Sequence, residues 1–262
     1  MSTELEPAPS SGGPAHDALS SGAQPAAAPA PTRRLVWDLP LRLFHWLFAL
    51  SILASWATAE AGFNWMQWHI RLGYWMMGLV LFRLVWGFLG PRHARFRSFL
   101  AGPRAVWRYA RSLSGTGEVI HSVGHNPLGG LMVILMLALV VFQVSTGLFA
   151  TDDIAWAGPY NPTVSDSTAK LLTSLHHKNF NLIWVAIALH VTAIAFYAFV
   201  RKQNLVPAML NGWKPAEAVP ASQAIASSEL WKALLVVLAS SGVVYWILSA
   251  APHVAPDATS FN

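Results

Sequence analysis

The chain has 262 residues, of which 54% are hydrophobic and only 11% are charged. Soluble globular domains usually carry about 25% charged residues, so this composition, with a mean hydropathy of +0.43, indicates a protein that folds in a lipid bilayer. The absence of cysteine excludes disulfides, thiolate metal sites and iron–sulfur ligation. The net charge of +5 lies in short loops between apolar runs, which argues against binding of nucleic acid.

Residues 1–32 open the chain with a stretch rich in Pro, Ala, Ser and Gly. This stretch offers too few bulky apolar side chains to form a core, so we predict a disordered cytoplasmic tail. Five apolar segments follow, each close to the 20 or so residues that a membrane-spanning helix needs. They cover residues 41–59, 68–90, 128–150, 176–200 and 230–250.

These segments predict an all-α membrane protein. Four helices form a transmembrane bundle over residues 33–210, and a Pro-, Ala- and Ser-rich linker follows over 211–229. An extra transmembrane helix over 230–250 and a tail over 251–262 complete the chain. Because the linker separates it from the rest, we expect the fifth helix to stand beside a four-helix core.

The charges of the loops predict how the helices are oriented. Basic residues collect before the first helix, between the second and third, and after the fourth, whereas the other two loops carry mainly Asp and Glu. Basic loops of membrane proteins face the cytoplasm. We therefore expect a multi-pass membrane protein, surrounded by membrane lipid, with its N-terminus on the cytoplasmic side and its C-terminus on the opposite side.

Four histidines lie within the predicted helices, where ionisable side chains are rare and usually functional. They are His45, His69, His176 and His190. In the predicted orientation, His45 on the first helix and His190 on the fourth lie toward the inner side. His69 on the second helix and His176 on the fourth lie toward the outer side. The histidines therefore form two pairs, each at one level of the bilayer.

The spacing on the fourth helix supports this pairing. His176 and His190 are 14 residues apart, which is close to four helical turns and about 21 Å of rise, so both rings face nearly the same direction. His177 points about 100° away and is interpreted as an outer-surface neighbour. Small residues one turn from the histidines, such as Gly73 and Ala186, leave room for a flat macrocycle.

Histidines from facing helices are a usual way for a bundle to hold a metal cofactor. The two pairs therefore predict two haem groups, each with two axial His ligands. Because such ligation leaves no open position for a substrate, the expected chemistry is electron transfer. Haem propionates need cationic partners: Arg42, one turn before His45, is the inner candidate, and Arg71 and Lys178 are outer candidates.

Other functions remain open on the residues alone. A membrane metal-ion transporter with transient His ligands would need carboxylates among the histidines, and the predicted helices carry no Asp or Glu at depth. A membrane anchor with no redox role would leave the paired histidines unexplained. For any one histidine, a polar contact between helices is the simplest alternative.

The other polar residues near the inner side are interpreted as structural. His93 and His121 lie in a basic loop and are expected to be solvated. Arg83 is expected to snorkel from the inner end of the second helix to the membrane interface. His125 is expected to cap the third helix as a surface or propionate-side residue.

Several runs of sequence resemble the bacterial cytochrome b561 and nickel–iron hydrogenase b-type cytochrome family. They are VWDLPLRLFHW at 36–46, GPRHARF at 90–96, GHNPLGG at 124–130, TGLFATDD at 146–153, and LHH at 175–177 followed by His190. The resemblance covers about residues 33–210 and the combination is specific. The N-terminal tail and the fifth helix lie outside it.

This resemblance implies a four-helix core that holds two b haems. Their ligands in the family come once from the first helix, once from the second and twice from the fourth, which correspond to His45, His69, His176 and His190. It also implies an electron-transfer subunit rather than a stand-alone enzyme. Such a subunit passes electrons between a periplasmic redox partner, a hydrogenase or a c-type cytochrome, and the quinone of a respiratory chain.

Overall fold

The computed structural model describes residues 32–113 and 122–252. Seven α-helices account for most of this part: α1 (Leu39–Glu60), α2 (Met66–Leu89), α3 (Pro103–Leu113), α4 (Pro127–Gly147), α5 (Asp166–Phe199), α6 (Val206–Asn211) and α7 (Leu230–Ser249). Five of them, α1, α2, α4, α5 and α7, are long and apolar enough to cross a membrane. This confirms the predicted all-α membrane class. The predictions for His121 and for nearly all of both tails fall outside the described residues.

Three of the spanning helices begin at a side chain that caps them. Asp38 accepts a hydrogen bond from the backbone N–H of the third residue of α1, and Asn126 and Ser165 do the same for α4 and α5. The first amides of a helix have no intrahelical acceptor, so such caps stabilise its start. Proline at the first or second position of α1 and α4 suits the same turn, where no amide is needed.

The bundle core lies between α1, α2, α4 and α5. Helix α1 packs along α2, α2 packs on α4, and α4 packs along α5. Phe48, Met76, Val140 and Ile183, one from each helix, belong to a single buried cluster. In the described part of the chain, few or no Cα atoms of α5 come close to those of α1 or α2. These helices approach one another through side chains.

The predicted fifth helix, α7, packs directly on the bundle. Its main neighbour is α2, with a smaller contact to α1. Its two ends are also tied to the core. The amide of Leu39 donates to the Ser228 hydroxyl at 3.0 Å, and the Tyr160 hydroxyl donates to the Ile247 carbonyl at 2.6 Å. The fifth helix is therefore an integral part of the described fold.

A small sheet closes the end of the bundle where α1, α4 and α7 begin and α2 and α5 end; we call this the basic end and the opposite one the far end. Strand β1 (Arg33–Leu35) pairs antiparallel with β2 (Trp213–Pro215). The segment after β2 stays packed: Val219 is fully buried, and the amide of Ile225 donates to the Leu35 carbonyl at 2.9 Å. The linker over 211–229 is thus ordered against the bundle.

Two helices differ from the sequence-based prediction. Helix α5 begins at Asp166, ten residues before the predicted start at 176. Its first turns are too polar to read as a membrane span, but Ser165 caps them and Lys170 bonds Asp166 at 3.0 Å across one turn. His176 therefore lies within α5 and not at its start. The basic loop after α2 also contains a helix, α3, whose Tyr109 is buried and bonded to the hydroxyl of Tyr197 on α5.

Asp38 joins the start of α1 to the end of α2. Its side chain is fully buried, and Oδ1 accepts hydrogen bonds from the Leu41 amide and the Trp86 indole, each at 2.9 Å. Trp86 is also fully buried. Burial raises the pKa of the Asp38 carboxyl, although the two hydrogen bonds oppose the shift. This one carboxyl oxygen therefore satisfies a helix cap and a buried indole at once.

We expect Asp38→Ala to destabilise the protein by about 2 kcal/mol, because it removes a cap and leaves a buried donor without an acceptor. Asp38→Asn is the matched control, since its amide oxygen can accept both hydrogen bonds, and it should lose less than half as much. The measurement is thermal unfolding in detergent followed by tryptophan fluorescence. Equal losses for the two variants would show that charge, and not the hydrogen bonds, is the source of the stabilisation.

Candidate functional site

The four histidines singled out in the sequence lie between α5 and its two facing helices. His45 on α1 faces His190 on α5, with ring centroids 6.3 Å apart. His69 on α2 faces His176 on α5, with ring centroids 6.2 Å apart. We call these the basic-end pair and the far-end pair. All four rings are half-buried.

The separation within each pair suits a metal ion between the rings. A His nitrogen binds a metal at about 2 Å, so two imidazoles on opposite sides of one iron have centroids roughly 6 Å apart. Both observed separations, 6.3 and 6.2 Å, match this value. Rings in direct hydrogen-bonded or stacked contact would lie closer. The geometry therefore fits haem iron held between two axial histidines.

The far-end pair is oriented by main-chain carbonyls. Nδ1 of His69 donates to the Ser55 carbonyl at 2.8 Å, and Nδ1 of His176 donates to the Gln143 carbonyl at 3.0 Å. A carbonyl only accepts, so the proton of each ring sits on Nδ1 and Nε2 keeps its lone pair for a metal. Metal-bound histidines almost always have such a partner. This pair therefore has both the spacing and the tautomer that ligation requires.

The basic-end pair has no comparable support. Within the described residues, Nδ1 of His45 is buried without a hydrogen-bond partner. Its ring is instead held by an edge contact with Trp46, at 5.0 Å between centroids. The two pairs thus have the same spacing but different surroundings.

Glycines make room beside the far-end pair. A Cβ at Gly147 would lie 3.1 Å from the His176 ring, so only glycine lets α4 approach this side chain without displacing it. A Cβ at Gly73, one turn after His69, would meet nothing within 4 Å in the described structure. The open surface at Gly73 fits the flat macrocycle predicted there. Ala186, one turn before His190, is instead buried, so the surface beside His190 is not open at this residue.

The remaining predicted site residues lie around these pairs. The Arg42 guanidinium donates to the Leu210 carbonyl, while its buried Nε has no partner among the described residues. Arg71 is exposed and lies 5.0 Å above the Trp68 ring. Both arginines remain cationic candidates, although neither is held at a histidine pair by a direct contact. His177 is exposed beside the far-end pair.

His93 and His125 at the basic end correct the sequence-based interpretation. His93 is not solvated: it is 6% exposed, and Nε2 donates to the Gln223 carbonyl at 2.8 Å. His125 does not cap α4, because Asn126 does. The His125 ring instead packs against the rings of Trp37 and Phe99, and its centroid lies 4.7 Å from the centroid of each. Burial lowers the pKa of His125 to about 3, so this ring is neutral at physiological pH.

Arg83 corrects a third interpretation. It does not snorkel to the interface but is buried within the bundle, with 2% of its surface exposed. Its guanidinium lies 4.7 Å above the Phe96 ring. The hydropathy of α2 hides this residue, because one arginine in an otherwise apolar helix end is usually read as an interfacial anchor.

The alternative of a transporter for free metal ions finds no support in this arrangement. Across residues 32–113 and 122–252, no group of three or more His, Asp or Glu side chains could hold a metal ion. The four histidines form two pairs, and no Asp or Glu joins either pair to make a group of three among the described residues. Such a set suits a cofactor that supplies its own equatorial ligands.

Curated proteins with similar sequences carry one name. The chain is 27% identical over 216 residues to the "Probable Ni/Fe-hydrogenase B-type cytochrome subunit" of Azotobacter chroococcum mcd 1, covering 68% of this chain and 87% of that protein. Identity is 25% over 209 residues to the protein of the same name from Cupriavidus necator, with 68% and 86% covered. It is 24% over 234 residues to that of Rhizobium leguminosarum bv. viciae, with 75% and 95% covered.

The family described as prokaryotic cytochrome b561 matches residues 36–212. This range runs from the turn before α1 to the end of α6 and includes both histidine pairs, whereas β2 and α7 lie beyond it. The match spans well over half of the chain. The chain belongs to the prokaryotic cytochrome b561 family.

Proposed function

We propose that this protein is a dihaem b-type cytochrome that carries electrons across the bacterial inner membrane. In this proposal one haem b is held by His69 and His176 and the other by His45 and His190. The observation that carries it is the arrangement of four intramembrane histidines as two facing pairs with the same spacing. Family membership and the names of the relatives support haem b and membrane electron transfer.

Haem b supplies one-electron chemistry, in which its iron cycles between the ferric and ferrous states. The protein's part is to hold the cofactor rigidly and to saturate its axial positions. The carbonyls of Ser55 and Gln143 fix the ring planes at the far end. His69 with His176, and His45 with His190, would hold the two groups, and ligation by two histidines would leave oxygen and other small ligands no site on the iron. The proposed function is therefore relay of electrons between redox partners, and not chemistry on a substrate bound to the iron.

Helix α5 sets the path across the membrane. It contributes His176 to one pair and His190 to the other, and four helical turns separate them, about 21 Å along the axis. A continuous helix keeps this spacing fixed because every backbone group in it is already hydrogen-bonded. The two proposed haems would thus occupy the two halves of one bundle and connect its two ends.

The relatives' names bear on the partners. Each is called a B-type cytochrome subunit of a Ni/Fe-hydrogenase, so we infer a hydrogenase as the redox partner at the periplasmic end. A c-type cytochrome is the alternative donor. We infer quinone as the second partner, because a membrane-embedded relay needs a lipid-soluble carrier to take up its electrons. The far end, with its acidic loops, would face the periplasm under the positive-inside rule.

Loss of single histidines tests the ligand assignment. His190→Ala should reduce the haem content from two per chain to one, because it removes a ligand from one pair only, and His176→Ala should remove the other haem. His177→Ala is the matched control on the same helix and should retain both. Haem is quantified as the pyridine haemochrome of the purified protein. Retention of both haems in His190→Ala would refute the assignment.

Electron transfer to quinone tests the function itself. The purified protein, reduced with dithionite, should show b-type bands in a reduced-minus-oxidised spectrum. After removal of excess reductant, a water-soluble naphthoquinone should reoxidise these bands within the mixing time. Carbon monoxide should leave the reduced spectrum unchanged, since no axial position is open. A protein without b-type bands would exclude the proposal.

Reporter fusions test the orientation. We expect a C-terminal alkaline phosphatase fusion to be active, because this enzyme folds only in the periplasm, and a C-terminal green fluorescent protein fusion to be dark. A truncation after residue 215 that carries the same reporters removes α7 and should reverse the pattern. An active phosphatase on the truncated chain would contradict the expected topology.

A further inference from the structure

Arg83 is the most deeply buried cation among the described residues, with 2% of its surface exposed. Its guanidinium stacks on the Phe96 ring, but neither terminal nitrogen has a hydrogen-bond acceptor among residues 32–113 and 122–252. A buried charge without a partner is strongly unfavourable. The structure therefore calls for an anion at this place.

The position of Arg83 on α2 relates it to the histidine pairs. Arg83 follows His69 by 14 residues, the same spacing that separates His176 from His190 on α5. Fourteen residues are close to four turns, so Arg83 projects within about 40° of the direction of His69. Because α2 and α5 run in the same direction, Arg83 lies near the level of His190. The helix spacing therefore puts Arg83 toward the basic end of α2, on nearly the same side of the helix as His69.

The nearest carboxylate does not satisfy this arginine. The charge of Asp38 acts on Arg83, yet the two form no ion pair within 4 Å, and the described ion pairs all involve Lys170 or Lys232. Oδ1 of Asp38 is committed to Leu41 and Trp86. Asp38 therefore lowers the cost of the buried charge without binding it.

An aromatic ring lies against the guanidinium of Arg83. The Phe96 ring lies below it, and this ring can reach α2 only because residue 87 is glycine: a Cβ there would come within 2.0 Å of the ring. One face of the guanidinium is therefore covered by an aromatic ring, and its planar set of N–H donors matches the two oxygens of a carboxylate.

We infer that Arg83 binds a propionate carboxylate of the haem at His45 and His190. This inference rests on the proposed function. It assigns the propionate-binding role to a residue of α2, in addition to Arg42 on α1, and it explains why a charged side chain is kept inside the membrane. A free anion from solvent is the other source of the same chemistry, and the test below separates the two.

The test compares Arg83→Gln and Arg83→Lys with Asp38→Asn in the purified holoprotein. Resonance Raman spectroscopy reports the propionate bending bands, and a redox titration reports the midpoint potential of each haem. In Arg83→Gln we expect one haem to shift its propionate band and to lower its midpoint potential, because the positive charge that favours the reduced state is gone. A tenfold change in the redox equilibrium corresponds to about 59 mV for one electron.

The variants have distinct expected results. Arg83→Lys keeps the positive charge but lacks the planar set of N–H donors of a guanidinium. It should shift the propionate bending band with a smaller change in midpoint potential. Asp38→Asn should leave the propionate band in place, and any change in its potential should be upward. In a His190→Ala background, which keeps only the far-end haem, Arg83→Gln should have no effect on the remaining spectrum.

Three results would overturn the inference. One is an unchanged propionate band and potential in Arg83→Gln with both haems present, which leaves the proposed function intact. Another is the same band shift in Asp38→Asn, which would make Arg83 the ion-pair partner of Asp38. The third is a potential that depends on chloride or phosphate concentration in the wild type and not in Arg83→Gln, which would identify a free anion. A wild-type protein without two haems overturns both proposals.

Discussion

A polar side chain inside a bilayer has no water to bond with, so it must find a partner within the protein. The described structure of this chain depends on how that requirement is met. His69 and His176 meet it with main-chain carbonyls, and Asp38 meets it with an amide and an indole. Each solution joins two helices: α2 to α1 at His69, α5 to α4 at His176, and the start of α1 to α2 at Asp38. The polar contacts thus fix the relative positions of helices whose apolar surfaces alone would allow them to slide.

The two ends of the bundle are built differently. At the basic end a two-stranded sheet, the packed segment that follows it and a short amphipathic helix close over the helix ends. Buried Arg83 and His93 lie there, together with the half-buried His125. The described connections at the far end contain only single 3-10 turns and one isolated β-bridge, and the histidine pair there is held by the helices themselves. One end therefore combines the greater number of polar groups with the more elaborate cover.

The sequence was sufficient to predict the class of fold, five helices long and apolar enough to span a membrane, and which histidines face each other. Hydropathy, loop charge and helical periodicity, on which these predictions rest, are properties of single segments. The sequence was not sufficient for Arg83, His93 and His125, since each contacts a residue from another segment: Arg83 contacts Phe96, His93 contacts Gln223 and His125 contacts Trp37. The start of α5 was missed for a related reason. A capped polar helix continues an apolar one with no signal in a hydropathy window.

The carbonyls that orient the far-end pair belong to the main chain, and this has a consequence for how the protein can vary. No substitution at Ser55 or Gln143 can remove a main-chain carbonyl oxygen. The tautomers of His69 and His176 therefore do not depend on which side chains occupy these two positions. The basic-end pair has no such protection, because the groups around His45 are side chains. Sequence change can therefore adjust the electronic character of one proposed haem while leaving the other nearly constant, which allows a single scaffold to serve donors and acceptors of different potential.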